Sequence, residues 1–87
     1  MKLKTKKTTG FKKPQVGDPL TRRQDAILSF IRGWMLEGVG PPTVREIGSA
    51  FGWSPNGVTY HLQSMEAKGV IWRVAGQSRN IRLVQLH

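Results

Sequence analysis

Gly52 and Trp53 are all that separates an apolar-patterned segment ending at Phe51 from the helix start Ser54-Pro55. So short a link leaves few folds open, because two helices joined by a turn of about three residues containing glycine make a helix-turn-helix. Ser54 can cap the second helix with its hydroxyl. Pro55 stands at the first helical position, where a missing N–H costs nothing.

The flanking signals extend this unit into a domain. Thr21 and Gln24 have the spacing of a capping box, and behind them Ile27, Phe30, Ile31, Trp34 and Met35 recur on one helical face. Gly38, Gly40, Pro41 and Pro42 end that helix in a stiff loop. Thr43 and Glu46 form a second box, opening a short helix with Val44, Ile47 and Phe51 turned inward. Gly48 lies mid-helix at a propensity cost of about 1 kcal/mol, which a close helix crossing would offset. Gly69 closes the third helix in the manner of a left-handed cap. Val70, Trp72 and Val74 then alternate with Ile71 and Arg73, the loop AGQSR follows, and NIRLV alternates again. The expected fold is mainly α with a small antiparallel β-hairpin, a winged helix-turn-helix over residues 18–87. Residues 1–17, with six lysines and no acid, are expected to form a flexible arm.

Composition narrows the partner. Fourteen Lys and Arg against five Asp and Glu leave +9 on 87 residues, an excess that favours a polyanion through phosphate neutralisation and counterion release. With no cysteine, neither disulfides nor zinc thiolates can brace the chain. No apolar run approaches the roughly 20 residues of a membrane span, and the N-terminus lacks the apolar core of a secretory signal. The expected setting is the cytoplasm, with no membrane and no small-molecule ligand or cofactor.

The third helix carries the functional signal. At about 100° per residue, Val58, Leu62 and Met65 cluster on one side. Asn56, Tyr60, Gln63 and Ala67 point away from them, and Gly57 and Thr59 flank that ridge on opposite sides. Asn and Gln pair bidentately with adenine in the major groove, and a threonine methyl meets the thymine methyl. Tyr60 either bonds a phosphate or sugar or lies on the hairpin as part of the core. Arg79, beside the hairpin tip, is placed to reach a phosphate or a minor-groove edge, while at least one of Arg73 and Arg82 belongs to a solvated strand face. His61 and His87 have no carboxylate or thiol at a catalytic or metal-binding spacing, so an enzyme is not expected.

The segments LTRRQ, GPPTVREI, FGWSPNGV, HLQSMEAKGVI and SRNIRL together resemble the N-terminal DNA-binding domain of the LexA repressor family, over roughly residues 20–84. The resemblance implies a winged helix whose third helix docks in the major groove of a palindromic double-stranded operator, usually as a homodimer. It places Ser54, Asn56, Gly57, Thr59 and Tyr60 where the family reads DNA. The enterobacterial form has two glutamates where Thr59 and Tyr60 stand, so a different operator is expected. The chain ends just past the hairpin, and the family's self-cleaving Ser–Lys domain is not expected in it. Two other readings stand beside this one. A protein-interaction module would use the Tyr60 face for docking. Asn56, Tyr60 and Trp72 also resemble winged helices that bind left-handed DNA, although those place the Trp on the last strand beside prolines.

Overall fold

The computed structural model describes residues 13–84 apart from Val39. Most of the expected arm, residues 1–12, therefore lies outside the described residues, as does His87. Three helices, α1 (Arg22–Leu36), α2 (Val44–Phe51) and α3 (Pro55–Ala67), precede strands β1 (Ile71–Arg73) and β2 (Ile81–Leu83). The strands pair antiparallel with Ile71 opposite Leu83, Trp72 opposite Arg82 and Arg73 opposite Ile81.

The helices begin where their caps require. Thr21 Oγ1 accepts from the Gln24 amide at 3.1 Å, while Gln24 Oε1 accepts from the Thr21 amide at 3.2 Å. The Thr43–Glu46 pair repeats this at 3.1 and 2.8 Å, and Ser54 Oγ accepts from the Gly57 amide at 3.1 Å. Each box satisfies two amide donors that the helix start leaves open. Gly52, at φ 72°, and Gly69, at φ 85°, end α2 and follow α3 in the left-handed region that glycine enters without strain.

The core takes one stripe from every element. Ile27 and Ile31 of α1, Ile47 of α2, Val58, Leu62 and Met65 of α3, and Ile81 of β2 are wholly buried, with Ile71 nearly so. Phe30, Met35, Val44 and Phe51 pack against this cluster. Leu28, outside the expected stripe of α1, is buried too, because a helix covered from more than one side hides a wider band. Gln24 is buried, and Thr21 and Lys68 satisfy its amide oxygen. One row of rings braces the turn: Trp34 on Phe30 at 5.6 Å, Phe30 on Phe51 at 5.5 Å, and Phe51 stacked on Trp53 at 4.5 Å between centroids.

Gly48 is explained by a different neighbour from the expected helix crossing. A Cβ there would stand 2.6 Å from the Trp53 carbonyl oxygen and 3.7 Å from Val58 Cγ2. The Trp53 amide also donates to the Gly48 carbonyl at 2.9 Å. The turn's own backbone, more than the next helix, occupies the space. Gly48→Ala should therefore destabilise the domain by about 1–3 kcal/mol through overpacking, despite a propensity gain of about 1 kcal/mol. A urea melt checks this, and a more stable variant would contradict the close approach.

Candidate nucleic-acid interface

The core stripe of α3 dictates what its other side presents. With Val58, Leu62 and Met65 at zero exposure, the outward ridge stands clear of the helices and the hairpin. Tyr60 is 67 % exposed, which removes its alternative place in the core. Asn56, Gln63 and Ala67 are exposed, and Gly57 and Thr59 are half-buried on the flanks. Ser54 stands at the N-terminus of the same helix with its oxygen on the Gly57 amide, leaving its O–H free to donate. A Cβ on Gly57 would approach that oxygen to 3.3 Å, so glycine keeps the cap uncrowded.

Two arginines lie near this helix start. Arg23 of α1 lies over the Trp53 ring at 5.4 Å and borders a cleft of about 310 Å³ with Ser54, Gly57 and His61. Arg45 of α2 borders a second cleft, of about 410 Å³, with Pro55, Ser78 and Asn80. Neither was among the expected contacts. Their signal was local: Arg22, Arg23 and Arg45 occupy first helical turns, where the dipole disfavours cations unless an anion lies outside. The gathering of positive charge around the N-terminus of α3 suits a phosphate on each wall of a groove.

Arg79 departs from its expected place. Its guanidinium folds back onto α2, donating to Glu46 Oε1 at 2.6 Å, to Glu46 Oε2 at 3.0 Å and to the Pro41 carbonyl at 3.0 Å. The structure thus brings five of the predicted residues together on α3, with Ser54 at its cap, and sets Arg79 apart as a tie between hairpin and α2. The fork matches carboxylate geometry in a way sequence spacing cannot reveal, since the partners lie 33 residues apart. Arg73 pairs with Glu66 of α3 at 2.7 Å. Arg82 donates to the Arg79 and Ile81 carbonyls and to Gln77, so it remains on the strand surface.

Three groups here have shifted proton equilibria, and the hydrogen bonds to Glu46 raise that of Arg79. The Arg79 hydrogen bonds, then those from Thr43, hold the Glu46 carboxyl down at about 2. Burial, then the charges of Arg23 and Lys68, lower the His61 imidazole below its ordinary value. His61 Nδ1 is enclosed and has no hydrogen-bond partner among the described residues.

The comparisons with known proteins agree with this geometry. A family model described as the LexA DNA binding domain matches residues 17–80. The chain belongs to the LexA DNA-binding domain family. It is 49 % identical over 69 residues to the LexA repressor of Aromatoleum aromaticum, covering 78 % of this chain and 34 % of that protein. It is 50 % identical over 68 residues to the LexA repressor of Dechloromonas aromatica, covering 76 % and 33 %. The LexA repressor of Thiobacillus denitrificans is 46 % identical over 65 residues, covering 74 % and 32 %. The chain thus spans about a third of the length of the curated LexA repressors it matches. No helix among the described residues is long and apolar enough to cross a membrane.

The Glu46 shift gives a pH test of the hairpin tie. A depressed carboxylate contributes stability above its ordinary value of 4.5, and that contribution is lost as pH falls toward about 2. The melting-temperature gap between the wild-type chain and Arg79→Met should therefore narrow across that window. Circular dichroism melts measure it, and a pH-independent gap would mean the pair contributes nothing.

Proposed function

We propose that this chain is the DNA-reading domain of a LexA-like transcriptional repressor acting on double-stranded DNA in the cytoplasm. The first turns of α3 enter the major groove, with Asn56, Thr59 and Tyr60 meeting base edges and Gln63 following at the rim. Ser54 and Gly57 present the helix N-terminus to a phosphate, flanked by Arg23 and Arg45. Arg79 holds the hairpin at a set angle to α2, so that the hairpin meets the backbone beside the groove. Two copies on a palindrome would bury little protein surface between them, and the DNA would supply most of their coupling. Occupying a promoter in this way represses transcription by exclusion.

The exposed ridge opposite a fully buried stripe supports the reading most directly: an uncharged face of Asn, Tyr and Gln on a basic domain suits base edges. The LexA repressors it resembles support the regulatory role. Because Thr59 and Tyr60 offer neither carboxylate that the enterobacterial form carries there, the preferred site differs from the enterobacterial one.

Selecting bound duplexes from a random pool tests the proposal, and a consensus with paired half-sites is the expected result. Asn56→Ala should then relax preference at one base pair, costing about 1–3 kcal/mol on the selected site. Equal loss on every duplex would contradict a base-reading role. Affinity should fall with salt at a log–log slope of about −0.9 per neutralised phosphate; a flat response would favour a protein-docking module.

A further inference from the structure

The family match begins at residue 17, yet the chain just ahead of it lies beside α3. Residues 13–18 run beside the C-terminal half of α3. The Gly17 amide donates to the Lys68 carbonyl at 3.2 Å. Val16 lies on Gly69, its Cγ1 3.3 Å from where a Cβ of that glycine would stand. The segment also closes on itself: the Asp18 amide donates to the Gln15 carbonyl at 3.0 Å, and the Gln15 amide donates to Asp18 Oδ2 at 2.9 Å. Pro14 borders a cleft of about 210 Å³ with Tyr60, Gln63 and Ala67, next to the ridge itself. Prolines at 14 and 19 bracket the segment and reduce the entropy lost on ordering it.

We propose that this strap is a second DNA-contacting element, which seats on the phosphate backbone bordering the groove and brings Lys13 to a phosphate. The inference rests on α3 entering the major groove, and dimensions then decide what the strap meets. The groove is about 12 Å wide, and a helix with its side chains is about 10–12 Å across. α3 fills it, leaving a segment at its flank over the rim, where phosphates and no base edges are presented. Lys13 is exposed at the start of the strap. The one carboxylate of the strap, on Asp18, is turned back to the Gln15 amide, and the neighbouring Lys68 ammonium is held by Gln24 Oε1 at 2.6 Å. Contact with rim phosphates adds affinity without adding sequence preference.

The test uses the full chain, the selected duplex and unrelated duplexes. Lys13→Gln should make the log–log salt slope shallower by about 0.9, weaken all duplexes alike and leave the selected consensus unchanged. Gly17→Ala keeps every charge but places a Cβ at φ 92°, loosening the strap. Ethylation interference at the phosphates flanking the site should weaken in that variant. An unchanged slope in Lys13→Gln, or an unchanged interference pattern in Gly17→Ala, overturns the strap contact while α3 binding stands. A changed base preference in Lys13→Gln overturns it too, by placing Lys13 on a base. Failure of the wild-type chain to select any duplex overturns the α3 reading and the strap with it.

Discussion

The outward face of α3 depends on how closely the peptide of Trp53 lies against Gly48. One edge of the Trp53 residue donates its N–H to the Gly48 carbonyl at 2.9 Å, and its own carbonyl occupies the space a side chain at 48 would need. The turn is thereby locked to the helix before it, and α3 departs in one direction. From that direction follow both the burial of Val58, Leu62 and Met65 and the exposure of Asn56, Tyr60 and Gln63 on the opposite side. The stacked rings of Phe51 and Trp53 brace the same turn from the side of α1.

A second clamp sets the hairpin. Glu46 accepts from the Thr43 amide as part of a helix cap and from Arg79 as an ion pair, so one carboxylate joins the start of α2 to the loop end of the hairpin. Arg73 and Glu66 tie β1 to α3. Both pairs are partly open to water, where an isolated ion pair contributes little to stability. Their importance is geometric: they orient a two-stranded sheet that is too small to be stable alone. Charge follows the same plan. Glu46 and Glu66 neutralise Arg79 and Arg73 of the hairpin, Arg82 keeps its charge on neutral acceptors, and Arg23 and Arg45 border the clefts beside the start of α3.

Much of this was legible in particular residues. The capping pairs Thr21–Gln24 and Thr43–Glu46, the Ser54-Pro55 start and the left-handed glycines at 52 and 69 all do in the structure what their chemistry predicts. The side of α3 that faces the core was legible too, because helical periodicity turns apolar spacing into direction. The place of Arg79 was not legible, since its spacing permits both a phosphate and a carboxylate partner. Nor was the strap, because lysine-rich polar sequence gives no sign that Gly17 and Val16 find Lys68 and Gly69.

The sequence by itself determined the helices, their order and the polar ridge on α3, because caps, glycines and periodicity act over a few residues. Only the tertiary structure decided which charges remain outward, which glycine yields to a neighbouring backbone, and where the leading segment lies. Those outcomes depend on groups far apart in the chain, and their distances come into being only when the core closes.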